Sequence, residues 1–129
     1  MKSLVFIPTY NEKENIGALV KEILDNKLDL DILVVDDDSP DKTWQIVEEL
    51  SKKNKRIRLI HRKRDKGRGR AGISAFRYAI ENKYDVIMEM DADFSHQVKY
   101  ITEFLDNIKK YDIIIGSRFV AGGYDTRWG

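Results

Sequence analysis

The sequence contains no cysteine, only two prolines and no long apolar segment. The absence of cysteine excludes disulfide bonds, thiolate metal ligands and a thiol nucleophile. No apolar run approaches the ~20 residues that a membrane-spanning helix requires. The amino-terminal segment MKSLVFIPTYNE is too short and becomes polar too soon for a signal peptide. We therefore expect a soluble chain.

Net charge is nearly absent as well. The 129 residues include 23 Lys and Arg against 22 Asp and Glu, which leaves a net charge of +1. No overall field favours nucleic acid or an acidic partner, so any electrostatic function must come from local clusters. The length suits one domain with a single hydrophobic core, which we assign to residues 1–129.

Two hydrophobic patterns alternate along the chain. Short apolar runs predict five buried strands, at residues 3–7, 31–35, 57–60, 85–90 and 112–116. Apolar residues at helical spacing predict four amphipathic helices, at residues 16–24, 43–50, 73–80 and 98–108. Ser39 or Asp41 is available as N-cap of the second helix. The predicted fold is a Rossmann-like three-layer α/β/α domain with a mostly parallel sheet.

Ligands of open α/β sheets bind beyond the carboxyl ends of the strands. The segments at those ends hold nearly all of the unusual chemistry of this sequence. They are PTYNE (8–12), DDDSPDKT (36–43), HRKRDKGRGR (61–70), DADFSH (91–96) and SRFVAGG (117–123). We expect one edge of the sheet to carry the function.

Two acidic clusters lie at this edge. Asp91 and Asp93 are two residues apart, and alternate side chains of extended backbone share a face. Adjacent carboxylates raise each other's pKa unless a cation intervenes, and Mg²⁺ uses one or two carboxylates with water and substrate phosphates. A metal site and a solvated turn that caps a helix both fit this pair. The three aspartates 36–38 exceed what capping needs, so at least one should have a hydrogen-bond donor as partner, such as a ring nitrogen of a base or a ribose hydroxyl.

The segment 61–70 holds six Lys and Arg residues. It fits a solvated loop, and it equally fits a loop that receives a diphosphate or an anionic lipid headgroup. The acidic neighbouring strand ends disfavour nucleic acid. Tyr10 could stack on a base or serve packing, while His61 and His96 fit structural roles.

Together, PTYNE, VVDDDSPDKT, DADFSH and GSRFVAGG resemble the family 2 glycosyltransferases of the GT-A fold, and most closely their dolichol-phosphate or polyprenyl-phosphate mannosyltransferase branch. The resemblance implies inverting, metal-dependent transfer of a hexose to a polyprenyl or dolichyl phosphate. The donor would be GDP-mannose, or alternatively UDP-glucose. Family members continue beyond VAGG, so we expect this chain to be the nucleotide-sugar-binding portion, truncated at its carboxyl end. The resemblance further implies a cytoplasmic enzyme in peripheral contact with the cytosolic membrane face.

The resemblance also assigns individual residues. Nucleotide binding falls to seven positions, which are Pro8, Tyr10, Glu12, Val35, Asp37, Asp91 and Ala92. Mg²⁺ or Mn²⁺ would be held by Asp91, Asp93 and Ser95. The catalytic set is Asp91, Asp93 and Arg118, the last in contact with the diphosphate or the acceptor phosphate.

Some residues depart from the family pattern, and two other functions fit the same motifs. Gln97-Val98 stands where Asp-Pro is common in the family, Lys42 stands where glycine is usual, and Arg68 stands where leucine is usual. These differences bear on the identity of the sugar and acceptor more than on the nucleotide diphosphate site. One alternative is a nucleotide- and metal-binding module without transferase activity. The other is a receiver-like signalling domain, since ILVVDDDS resembles a receiver's acidic pocket, although the late lysine-proline pair of receivers is missing.

Overall fold

A computed structural model describes residues 2–25, 29–64, 67–92, 101 and 105. The chain divides into two compact units, Met1–Asp93 and Phe94–Gly129. In the second unit Ile101 and Leu105 are helical. The rest of the predicted fourth helix and the whole predicted fifth strand lie outside the described residues.

The first unit follows the predicted alternation of strands and helices. Its elements are β1 (Ser3–Thr9), α1 (Ile16–Asp25), β2 (Asp31–Asp36), α2 (Thr43–Lys53), β3 (Ile57–His61), α3 (Arg68–Glu81) and β4 (Val86–Glu89). The four strands pair in parallel in the order β3-β2-β1-β4. The predicted α/β class is confirmed. The chain moves from β1 outward to β3 and then crosses to β4, so the strand order reverses beside β1.

The core lies on both faces of this sheet because successive strand residues point to opposite sides. On one face, apolar residues of β1 and β2 pack against three alanines of α3, namely Ala71, Ala75 and Ala79. Small alanine side chains allow a helix to approach a sheet closely. The alternate residues of β1 and β2 are also fully buried, and α1, which has a buried apolar stripe of its own, contacts α2.

The start of α2 differs from the prediction. The N-cap position falls on Lys42, in a left-handed conformation with φ 64°, and not on Ser39 or Asp41. Asp41 still satisfies an amide there, because its Oδ1 accepts a hydrogen bond of 3.0 Å from the backbone N–H of Thr43. Ser39 is engaged elsewhere. Left-handed backbone favours glycine, so Lys42 occupies a conformation that a residue with a side chain adopts less readily.

Candidate functional site

A cavity of about 170 Å³ opens at the carboxyl ends of β1, β2 and β4. It lies beside β1, where the strand order reverses, which is the usual place for a ligand in such a sheet. The residues that line it are Pro8, Thr9, Tyr10, Glu12, Asp37, Asp91 and Ala92. All the residues predicted to bind a nucleotide are in this set except Val35, and Thr9 is additional. Val35 is fully buried in the core cluster. The binding roles of these residues stay predictions.

Pro8 explains why a gap exists at this point of the sheet. Every second residue of β1 directs its backbone N–H and C=O toward β4. Phe6 is one of them, because its carbonyl accepts a hydrogen bond from the Met90 N–H. Pro8 has the same parity as Phe6 but lacks an N–H, and the pairing of β1 with β4 ends at Phe6. The proline therefore sits where no ladder bond is needed, and the two strands separate around the cavity.

The three consecutive aspartates have three different environments, beginning with Asp36. This residue is 0% exposed. Its Oδ1 accepts from Thr9 Oγ1 at 2.6 Å and from Ser39 Oγ at 2.7 Å, while its Oδ2 accepts from the Ser39 backbone N–H at 2.9 Å. These donors compensate the buried charge. Asp36 therefore ties β1 to the loop after β2 and is not available to a ligand.

Asp37 is the aspartate of this run that lines the cavity. Its Oδ2 accepts a hydrogen bond of 2.8 Å from the backbone N–H of Gly67, and its Oδ1 lies 3.4 Å from Nε of Arg62. Both side chains are largely buried, with 14% and 7% exposure. Gly67 has φ 126°, a conformation that a residue with a side chain rarely adopts, so glycine is needed to bring this amide to Asp37.

Asp38 contacts the histidine that ends β3. Its Oδ1 lies 2.7 Å from Nε2 of His61, and the imidazole stacks on Trp44 with the ring centroids 4.4 Å apart. Asp38 itself has a left-handed φ of 54°, which directs it away from an extended path. These contacts agree with the structural role predicted for His61. His96 lies outside the described residues.

The loop after β1 is held by the side chains of the SPDKT segment. The backbone N–H of Asn11 donates to Ser39 Oγ at 2.9 Å, that of Glu12 to Thr43 Oγ1 at 3.0 Å, and that of Lys13 to Asp41 Oδ2 at 3.0 Å. Three successive amides are thus satisfied by residues about 30 positions away. Since Tyr10 and Glu12 line the cavity, this network fixes one of its walls.

Asp41 shows an electrostatic effect of the same network. Burial acts to raise the pKa of its carboxyl, but hydrogen bonds from the Thr43 side chain and from the Lys13 and Thr43 amides outweigh it, so the pKa is below its ordinary value. A lowered carboxyl pKa means that the ionised form is favoured in the folded state. The charge of Asp41 is therefore part of what holds the two loops together.

Asp91 follows β4 and is largely buried at the cavity wall, with 8% exposure. The remaining predicted metal and catalytic residues, Asp93, Ser95 and Arg118, lie outside the described residues. Within the described ranges, no three His, Asp or Glu side chains are grouped closely enough to hold a metal ion by themselves. None of the helices in the described part of the chain is long and apolar enough to cross a membrane.

Comparison with known protein families shows to which family the chain belongs. The family model described as Glycosyl transferase family 2 matches residues 4–129. The chain belongs to glycosyl transferase family 2. This assignment decides the interpretation of the DDDS motif in favour of a glycosyltransferase and against a receiver-like domain.

Similar curated proteins of the family are about twice as long or longer. An undecaprenyl-phosphate mannosyltransferase of Micrococcus luteus is 39% identical over 128 residues, which are 99% of this chain and 53% of the relative. A dolichol-phosphate mannosyltransferase of Pyrococcus furiosus is 45% identical over 132 residues, covering 99% of this chain and 36% of the relative. The chain thus spans about half or less of the length of these relatives.

Two solved structures support the GT-A type of fold. A mannosyltransferase from Pyrobaculum calidifontis, in complex with GDP-Man and Mn²⁺, matches with a TM-score of 0.59 and 26% identity over 70% of this chain and 27% of that chain. TarS of S. aureus in complex with UDP matches with a TM-score of 0.59 and 26% identity over 83% of this chain and 32% of that chain. Both structural relatives contain a nucleotide ligand.

Proposed function

We propose that the cavity beside β1 binds a nucleoside diphosphate-sugar, and that the chain forms the donor-binding part of a hexosyltransferase acting on a polyprenyl or dolichyl phosphate. The observation that carries the proposal is the composition of the cavity wall. It combines an exposed aromatic ring, Tyr10, with two carboxylates, Asp37 and Asp91, from separate strand ends. The relatives named for mannosyl transfer to undecaprenyl or dolichol phosphate suggest the acceptor, and GDP-mannose is the donor we favour.

In this proposal each wall residue has a distinct part. Tyr10 is 56% exposed, so its ring is available to stack on the base. Asp37 accepts a hydrogen bond from the base, and Glu12 and Pro8 shape the pocket around the ribose. UDP-glucose is the alternative donor, because the TarS relative was solved with UDP.

A divalent cation suits the chemistry of the described wall. Three carboxylates line it, from Glu12, Asp37 and Asp91, and oxygen donors are the ligands that Mg²⁺ and Mn²⁺ prefer. We propose that Asp91 holds the ion together with Asp93 and Ser95. When bound, the ion would neutralise negative charge on the diphosphate leaving group.

The transfer itself requires little proton chemistry from the chain. An oxygen of the acceptor phosphate forms a bond to the anomeric carbon while the bond from that carbon to the diphosphate oxygen breaks, which inverts the configuration. The acceptor phosphate is already anionic at neutral pH, so no protein general base is needed. We propose that Arg118 contacts the diphosphate or the acceptor phosphate. The acceptor is a lipid, so we further propose a cytoplasmic enzyme in peripheral contact with the membrane.

Titration calorimetry with GDP, UDP, GDP-mannose and UDP-glucose, with and without Mn²⁺, tests the binding proposal. We expect one nucleotide to bind, more tightly with Mn²⁺, and Asp37→Asn to weaken it. Absence of binding in every condition would refute the proposal.

A second experiment distinguishes a transferase from a nucleotide- and metal-binding module without transferase activity. This alternative is tested because the chain covers only part of the length of its relatives. Radiolabelled GDP-mannose and UDP-glucose are incubated with polyprenyl phosphate and the chain. Labelled lipid that disappears with Asp93→Ala supports transfer. Tight nucleotide binding without labelled lipid from either donor supports the binding module.

A further inference from the structure

Arg62 is a buried cation beside the one aspartate of the 36–38 run that lines the cavity. The arginine is 8% exposed and directly follows β3. Its backbone N–H donates to the Asp36 carbonyl at 2.8 Å, which extends the ladder between β2 and β3 by one residue. This bond holds the arginine next to the start of the DDD run. Its position is therefore set by the sheet and not only by its side chain.

Asp37 lies beside the guanidinium of Arg62, with Oδ1 3.4 Å from Nε. Asp36 accepts hydrogen bonds from hydroxyl and amide donors, and Asp38 lies against His61. Asp37 receives one backbone amide and the charge of Arg62.

The geometry of the pair gives it little value as a source of stability. Nε and Oδ1 are 3.4 Å apart, and within the described part of the chain Asp37 Oδ1 and Arg62 Nη1 are buried without a hydrogen-bond partner. Buried ion pairs often contribute little net stability, since desolvation offsets their attraction, and unmade hydrogen bonds add to that cost. The main physical effect of Arg62 is thus on the orientation of Asp37.

We propose that Arg62 is a positioning residue for nucleobase selectivity. It holds Asp37 in a fixed orientation, together with the Gly67 amide, so that the carboxylate presents hydrogen-bond acceptors to the base. An acceptor matches the ring N–H on the pairing edge of guanine or uracil. The corresponding ring nitrogen of adenine or cytosine is itself an acceptor and is rejected. This inference rests on the proposed nucleotide site and adds the residue that determines which bases enter it.

The test compares Arg62→Gln and Arg62→Lys with the wild-type chain in calorimetric titrations of GDP, UDP, ADP and CDP. We expect Arg62→Gln to weaken whichever of GDP and UDP binds better by about tenfold or more, the range for a hydrogen bond to a charged group. The selectivity against ADP and CDP should fall together with this affinity. Arg62→Lys keeps the positive charge and should retain part of both the affinity and the selectivity. Arg58→Gln is the matched control, because it removes the same charge from an exposed position of β3 and should leave the selectivity unchanged.

A double-mutant cycle with Asp37→Asn supplies the second readout. If Arg62 acts through Asp37, adding Arg62→Gln to Asp37→Asn should have little further effect on GDP or UDP affinity. Additive losses, an unchanged selectivity ratio, or an equal loss for all four nucleotides would overturn the inference while leaving the proposed function intact. Failure of the wild-type chain to bind any of the four would overturn both. Urea denaturation checks that each variant is folded. If Arg62→Gln is not folded, the test relies on the affinity and selectivity of Arg62→Lys.

Discussion

The buried hydrogen bond between Thr9 and Asp36 allows a quantitative test of how this site is built. Thr9→Val removes the hydroxyl but keeps the shape of the side chain. Asp36, which is 0% exposed, then loses one of its three donors. A hydrogen bond to a buried charged group contributes about 1.5–3 kcal/mol, so we expect the free energy of unfolding to fall by about 2 kcal/mol.

Urea denaturation followed by circular dichroism measures this loss. For a small domain the free energy of unfolding changes by roughly 2 kcal/mol per molar urea, so the midpoint should move down by about 1 M. Thr9→Ser is the control, because it keeps the hydroxyl and loses only a methyl group, worth about 0.8 kcal/mol. If Thr9→Val is as stable as Thr9→Ser or more stable, Asp36 does not depend on this donor and the reasoning is wrong.

Three further predictions concern neighbouring positions. Lys42→Gly should be neutral or stabilising by up to about 1 kcal/mol, since glycine relieves the left-handed backbone, whereas Lys42→Val should destabilise; thermal unfolding compares them. Tyr10→Ala should weaken nucleotide binding by calorimetry and leave the urea midpoint unchanged, because the ring is exposed. The pKa of Asp41 is lowered by folding, so its contribution is fully present above its unfolded-state pKa near 4 and is lost as the pH falls through its folded-state value. The stability difference between the wild type and Asp41→Ala should accordingly shrink between pH 5 and pH 3, and a difference that grows would contradict the sign of the shift.

Much of the fold was predictable because hydrophobic periodicity depends only on local sequence. After their first residues, Ser3 and Asp31, the runs SLVFI and DILVV are apolar at every position, which is typical of strands buried on both faces. The prediction ended β1 before Pro8, but the strand continues to Thr9. A proline interrupts a central strand only when its missing N–H faces a neighbour, and at this position the neighbouring strand has already ended.

The candidate site was predictable as a location more than as a set of contacts. Parallel strands bring their carboxyl ends to one edge, so the segments there had to converge. The partners of each side chain depend on contacts between loops about 30 residues apart, such as those of Asn11 with Ser39. Burial could not be assigned within the basic run 61–70 either. The signal that could have singled out Arg62 is its place directly after β3, where one more ladder bond holds it beside the acidic loop.

The run of three aspartates shows why composition alone could not rank the residues of this site. All three carboxylates have the same intrinsic chemistry, and all three lie at the carboxyl end of β2. Their roles differ because the donors around them differ: hydroxyls and an amide for Asp36, a guanidinium for Asp37 and an imidazole for Asp38. Exchanging donors should therefore change the role of an aspartate without changing the aspartate itself. The Arg62 variants test this expectation. They should alter base selectivity only if Arg62, and not the carboxylate of Asp37 alone, determines how the base is recognised.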